Sequence, residues 1–193
     1  MPELSLNKAT GLLLIAGAAI FWSIILAAIA VAVRTGSLPF KDPSAVQARE
    51  FYESIAAEPR WWQAVNLTLS TGIIVTAMGL SLLQTLLREA GDAFFSELGL
   101  VAFLLGASLW LVEMAFNLSM ATWAADEIRR TGAVPPTAEA WPLGTERLIH
   151  TYMVLAYAAT ALFGAGILAS GLLDAWAGWL AVVVGIAGAA SVI

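Results

Sequence analysis

Long runs of apolar residues alternate with short polar connections along most of the chain. The first run, residues 11–33, carries no charge and is bounded by Lys8 and Arg34. A helix that crosses the hydrocarbon core of a bilayer needs about 20 apolar residues, whereas the apolar core of a signal peptide has roughly 7–15. The first run therefore predicts a membrane-spanning helix, and a cleaved signal peptide is the less favoured alternative.

Four further runs have the length and composition of spans. They cover about residues 65–87, 98–123, 148–172 and 177–193. Together the five runs predict an all-α fold, a polytopic transmembrane helix bundle of four to five spans, as a single domain over residues 1–193. The last run reaches Ile193 without a charged residue. Either its helix ends flush with the headgroups or the natural chain continues, and we expect the second.

The connection after the first span contains its own helical pattern. Asp42 and Pro43 resemble a helix N-cap followed by proline at the first helical position. Apolar residues then recur at helical spacing: Ala48, Phe51, Tyr52 and Ile55. The pattern predicts an amphipathic helix over about residues 43–57. It either lies on the membrane surface or packs against the bundle, and Trp61 and Trp62 mark the interface after it.

Composition supports a membrane protein and excludes several classes. The chain is 60% hydrophobic and 12% charged, about half the charge of a typical soluble domain. Its nine Lys and Arg residues form no basic stripe, so we expect no nucleic-acid partner. With no cysteine and one histidine, we expect no metal site of the thiolate or imidazole type. No catalytic motif is present, so we expect no catalytic residues and favour a protein that is not an enzyme.

Glu113 is the most informative single residue, because it lies inside the third apolar run. Asp126, the next acidic residue, follows 13 positions later, which places Glu113 roughly 15–20 Å below the surface. A carboxylate at that depth costs several kcal/mol unless it is paired, protonated or hydrated. Asn117 follows on the same helical face, and Asn66 and His150 begin neighbouring spans on the same side of the membrane. We therefore predict an intramembrane polar cluster of Glu113, Asn117, Asn66 and His150.

This cluster has two interpretations. It is either a site for a proton or a small solute, or a hydrogen-bonded knot that fixes the register of the helices; the sequence alone favours the knot. Small residues in the last two spans allow close helix packing: Ala158, Ala161, Gly164, Ala165, Ala169, Gly185, Gly188 and Ala189. We expect them to pack within the bundle rather than against another chain.

The sequence favours a structural or accessory subunit that packs against other membrane proteins. Its expected partners are the lipid bilayer and either other membrane subunits or a second copy of the chain. One alternative is a small proton-linked transporter that uses Glu113. Another is a haem or pigment carrier, with a histidine–methionine ligand pair formed by His150 and one of Met114, Met120 or Met153; the sequence identifies no cofactor.

Three segments carry a resemblance to a known family. They are GLLLIAGAAIF at residues 11–21, LVEMA at 111–115 and GILASGLLDAWAGWLAVVVGIAG at 166–188. In these segments the chain resembles an uncharacterised family of bacterial membrane proteins, catalogued as domain of unknown function 4386. The resemblance implies the bacterial inner membrane, about six spans and a cytoplasmic amino terminus, and it implies no activity or cofactor. The distribution of Lys and Arg instead places the two long connections in the cytoplasm, so orientation is left open.

Overall fold

The fold is all-α, as the apolar runs predict. The computed structural model describes residues 5–35, 48–92, 94–139 and 141–192. Of the residues in these ranges, 91% are helical and none lies in a strand. The prediction of an all-α helix bundle is therefore confirmed.

Seven α-helices and two short helical turns make up the described ranges. The helices are α1 (Leu6–Thr35), α2 (Ala48–Ala57), α3 (Pro59–Glu89), α4 (Phe95–Phe116), α5 (Thr122–Thr131), α6 (Trp141–Ser170) and α7 (Ala175–Val192). A π-helical turn, Asn117–Ala121, joins α4 to α5, and a 3₁₀ turn, Pro136–Ala138, precedes α6.

Five helical stretches in the described ranges are long and apolar enough to cross a membrane. They are Leu6–Ala27, Pro59–Glu89, Phe95–Thr131, Gly144–Ser170 and Ala175–Val192. The third stretch combines α4, the π-helical turn and α5. Since about 20 apolar residues span a bilayer, the chain is a multi-pass membrane protein.

The predicted spans fall on these helices, with shifted ends. The fourth predicted span ends at residue 172, but α6 ends at Ser170, because Gly171 takes a left-handed conformation with φ of 64°. Glycine adopts that conformation without steric cost and often ends a helix in this way. The amphipathic helix is described from Ala48 onward; residues 43–47 and Ile193 lie outside the described ranges.

The chain groups into two packed units, and four of the helices contribute to both. The first unit comprises the described residues of Met1–Ala19, Gly72–Leu109 and His150–Ile193, and the second comprises those of Ile20–Thr71 and Trp110–Ile149.

Small residues bring helices close together inside the first unit. A Cβ added at Gly185 of α7 would lie 2.5 Å from the backbone nitrogen of Ala161 in α6. One added at Gly164 of α6 would lie 2.7 Å from the backbone oxygen of Gly178 in α7. Both separations are far below an ordinary contact, so glycine is required where α6 and α7 meet. The expectation that these small residues pack within the bundle is confirmed for this pair of helices.

Asp92 caps the start of α4 in the same unit. Its Oδ2 accepts a hydrogen bond from the backbone N–H of Ser96 at 2.8 Å, and its Oδ1 accepts from Phe94 and Phe95 at 3.2 and 3.1 Å. Burial acts to raise the pKa of Asp92, but these hydrogen bonds to Ser96, Phe95 and Phe94 outweigh it and lower the pKa below its usual value. Gly166 of α6 leaves room for the carboxylate, since a Cβ there would lie 2.6 Å from Oδ2.

In the second unit, α2 packs against α5 through a small apolar core. The core contains Tyr52, Ile55, Ala121, Ala124, Ala125, Ile128 and Ala138. The four residues from the end of the π-helical turn and from α5 recur at helical spacing, so they form one face. The fully buried Tyr52 donates a hydrogen bond from its hydroxyl to the backbone oxygen of Ala138 at 2.7 Å. The apolar face of α2 therefore fits the second interpretation of the amphipathic helix, in which it packs against the protein.

Candidate functional site

The structure joins two of the predicted cluster residues directly. Glu113 and Asn117 are 2% and 4% exposed, and the Asn117 side-chain amide donates a hydrogen bond to Glu113 Oε1. The other carboxyl oxygen, Glu113 Oε2, and the amide oxygen, Asn117 Oδ1, are buried without a hydrogen-bond partner among the described residues. The ion pairs found in that part of the chain also do not involve Glu113. A half-satisfied polar pair therefore lies inside the third apolar stretch.

A π-helical turn begins at the site. Asn117 is its first residue, and the indole Nε1 of Trp62 in α3 donates a hydrogen bond to the backbone oxygen of Asn117 at 3.0 Å. The Trp62 ring is held in turn by Phe51 of α2, with ring centroids 5.6 Å apart in an edge-to-face arrangement. Because π-helical turns widen the helix and occur frequently at functional sites, this local irregularity supports a functional interpretation.

Asn66 is connected to this pair through Trp62. It is 2% exposed, and its side-chain amide donates a hydrogen bond to the backbone oxygen of Trp62, one turn earlier in α3, at 2.8 Å. Trp62 therefore bonds to Asn117 through its side chain and to Asn66 through its backbone. The bond of Asn66 lies within α3, so its predicted grouping with Asn117 stays a prediction.

His150 belongs to the other unit. It is partly exposed in α6 and falls in the first unit, whereas Glu113, Asn117 and Asn66 all fall in the second. Its membership of the cluster stays a prediction, and so does the haem-ligand pair that depends on it.

Trp62 belongs to the site through its hydrogen bond to Asn117, although the sequence does not place it there. Trp62 is predicted only as an interface residue, because an indole at the end of an apolar run commonly has that role. Thr122 Oγ1 is a third buried oxygen without a partner among the described residues. The hydroxyls of Ser108 and Ser119 are exposed and bond to backbone oxygens of their own helix at 2.8 and 2.7 Å. Burial therefore separates Thr122 from the other nearby hydroxyls.

Fold and site together define a multi-pass helical membrane protein with a buried, partly satisfied polar site in the 37-residue helical stretch Phe95–Thr131. Comparisons with protein-family models, with curated proteins and with solved structures find no match to this chain. The family resemblance therefore stays a prediction.

Proposed function

We propose that the chain is a small proton-linked carrier in which Glu113 takes up and releases the coupling proton. The observation that supports this function is the state of the Glu113 carboxyl group, which is 2% exposed. One of its oxygens accepts a hydrogen bond from Asn117, and the other is unpartnered among the described residues.

The arrangement suits a group that exchanges a proton. An ionisable residue inside the membrane is costly and by default indicates a proton, ion or substrate pathway. The Asn117 amide holds Oε1 in place, while Oε2 is left to carry the proton or to bond to a water. The irregular helix adds to the argument, since transporters bind substrates and coupling ions where transmembrane helices depart from regular α-structure.

The location we propose is the inner membrane of a bacterium. The five candidate spans support a membrane location, and the family resemblance of residues 11–21, 111–115 and 166–188 supports the bacterial inner membrane.

Infrared difference spectroscopy tests the proton site without knowledge of the transported solute. Spectra of the reconstituted protein are recorded across a pH step. We expect a band from a buried carboxyl group that gains a proton, present in the wild type and absent in Glu113→Gln. The matched control is Glu97→Gln, at the exposed start of α4, which should keep the band. Identical spectra for wild type and Glu113→Gln would refute the proposal.

A flux assay then tests linkage to transport. Liposomes that contain the protein and a pH-sensitive dye are exposed in turn to amino acids, sugars and organic cations. We expect at least one solute class to move protons in the wild type and in Glu97→Gln but not in Glu113→Gln. Equal proton movement with and without the Glu113 carboxyl would contradict the role of this residue.

An accessory subunit is the second candidate, and the packing of α7 favours it. Gly178 and Gly185 are the buried residues of this helix, and its outward face is apolar, with Trp179 61% exposed. Such a face meets either lipid or another membrane helix. Native mass measurement in mild detergent distinguishes the two: a complex or dimer supports the accessory role, and a lone monomer contradicts it.

A further inference from the structure

We propose that Trp62 is the residue that positions Asn117 against Glu113 and that links this pair to α2. The Trp62 indole fixes the backbone of Asn117, so the Asn117 amide stays on Glu113 Oε1. Because α2 holds the indole in place, the position of α2 controls the hold on Glu113. The proposal deepens the carrier function by naming the control of its proton site, and it rests on that function only for Glu113 as the proton carrier.

The first argument is the direction of the indole N–H of Trp62. A tryptophan at the membrane interface usually keeps its ring among the headgroups and its N–H towards water. The Nε1–H of Trp62 instead donates to the backbone oxygen of Asn117 at 3.0 Å. Since the Asn117 side chain donates to Glu113 Oε1, a single residue connects the indole to the carboxyl group. Trp62 therefore acts on Glu113 through Asn117.

The second argument is the place where this hydrogen bond falls. Asn117 is the first residue of the π-helical turn Asn117–Ala121. Such turns are rare and depart from regular α-helical geometry, so a donor from another helix holds the backbone at the point where the irregularity begins. The carbonyl group and the side chain of Asn117 share one Cα atom. A bond that restrains the carbonyl therefore also restrains the direction of the side-chain amide.

The third argument is that α2 holds the indole. The ring of Phe51 in α2 meets the Trp62 ring at an interplanar angle of 86°, with centroids 5.6 Å apart. Both rings lie against the apolar core through which α2 packs on α5, and α5 begins directly after the π-helical turn. The contacts form a closed path from α2 through Trp62 to Asn117, along the turn to α5 and back to α2. A displacement of α2 therefore moves the indole and, with it, the backbone of Asn117.

Deuterium exchange of the Asn117 side-chain amide tests the proposal, because this amide exchanges when its bond to Glu113 opens. The full-length chain is prepared with isotope-labelled asparagine, and exchange in detergent is followed by nuclear magnetic resonance. The sequence contains three asparagines, Asn7, Asn66 and Asn117. The signal of Asn117 is identified by its loss in Asn117→Ala.

Two substitutions interrupt the path at different points. Trp62→Phe retains an aromatic ring and loses the N–H, so the Asn117 amide should exchange at least about tenfold faster, as for the loss of a bond to a buried acceptor. Phe51→Leu retains the indole and loses the ring contact, so exchange should be about two- to tenfold faster. The infrared band of Glu113 should persist in Trp62→Phe but move to higher frequency, because the carboxyl group loses its hydrogen bond from Asn117.

Two controls separate positioning from a general loosening of the helices. The Asn66 amide is buried and donates to the backbone oxygen of residue 62 at 2.8 Å. Phenylalanine retains that oxygen, so the exchange rate of Asn66 should not change in Trp62→Phe. Trp123 is 45% exposed and lies just after the π-helical turn. Trp123→Phe removes an indole near the turn but leaves the bond from Trp62, so Asn117 should exchange at the wild-type rate; faster exchange would contradict the specific role of Trp62.

Several outcomes would overturn the inference. Wild-type exchange of Asn117 in Trp62→Phe would remove it, and so would an equal acceleration of Asn66. Wild-type exchange in Phe51→Leu would remove the link to α2. The proposed function fails separately: if Asn117 exchange depends on Trp62 but no carboxyl band depends on Glu113, the positioning stands without the proton site. If that band depends on Glu113 but neither its frequency nor Asn117 exchange responds to Trp62→Phe, the proton site stands without the positioning.

Discussion

Substitution of Gly185 by alanine tests how closely α6 and α7 pack. The new Cβ would lie 2.5 Å from the backbone nitrogen of Ala161, 2.6 Å from the backbone oxygen of Tyr157 and 2.7 Å from the Ala161 Cβ. Two of these three atoms belong to the backbone, so no flexible side chain can move aside. An ordinary contact begins at 3.4 Å, so α7 must move away from α6 by about 1 Å. A gap of that size between the two helices forfeits roughly a quarter to a half of the energy of each dispersion contact.

The expected cost follows from these numbers. Overpacking in a close-packed interior destabilises by about 1–3 kcal/mol, while the change from glycine to alanine inside a helix stabilises by about 0.5–1 kcal/mol. The first effect is larger, so Gly185→Ala should lower the free energy of unfolding. Because van der Waals packing is a main source of helix association in membranes, the loss should be visible in reversible unfolding by titration with sodium dodecyl sulfate.

Gly11→Ala is the matched control. Gly11 lies in α1 of the same unit, and a Cβ added there meets nothing within 4 Å. This substitution should leave stability unchanged or raise it by the helix-propensity increment alone. If Gly185→Ala shifts the unfolding curve in the same direction as Gly11→Ala, the close contact of α6 and α7 is wrong.

Two further predictions concern residues outside the membrane spans. Burial raises the pKa of Tyr52 to about 12 from 10.0. The stability that depends on the neutral form of Tyr52 is therefore complete below pH 10 and is lost as the pH rises toward 12. Unfolding titrations should show this alkaline loss of stability in the wild type and not in Tyr52→Phe. The pKa of Asp92 is lowered from 3.8, so its stabilising effect is present above that pH and is lost below it. Asp92→Ala should lower the free energy of unfolding by about 0.5–2 kcal/mol at neutral pH, as for other helix caps. The stability of this variant should also fall less in acid than that of the wild type. A full acid response in Asp92→Ala would rule out this cap as the source of the acid sensitivity.

The sequence predicts the spans well because one physical constraint dominates them. A bilayer of fixed thickness requires long uncharged runs, and such runs are visible without any knowledge of tertiary contacts. The helix ends are less visible: Gly132 and Gly171, with positive φ of 75° and 64°, follow α5 and α6, whereas the predicted third and fourth spans end at residues 123 and 172. The Glu113–Asn117 hydrogen bond follows from a spacing of four residues, which is a local property of an α-helix.

The rest of the site could not be predicted, because it depends on an irregular turn and on contacts between helices. Nothing in the composition of Asn117–Ala121 distinguishes a π-helical turn from an α-helical one. The bond from Trp62 to Asn117 joins residues 55 positions apart, and no local pattern reports such a contact.

The energetics of the polar site weigh against the hydrogen-bonded knot that the sequence alone favours. A typical hydrogen bond contributes about 0.5–1.5 kcal/mol net, or about 1.5–3 kcal/mol when one partner is charged, and each buried unpartnered group costs about 1–3 kcal/mol. The knot would thus combine one bond between Glu113 and Asn117 with two unsatisfied oxygens, Glu113 Oε2 and Asn117 Oδ1. An apolar substitution would fix the register of the helices at lower cost, since a half-satisfied buried network is worse than an apolar core. A cost of this kind is typical of functional sites, where local rules of stability are broken in favour of binding. A proton on Glu113 and a bound water would satisfy these two oxygens, so the unmet hydrogen bonds support the proposed proton site over the knot.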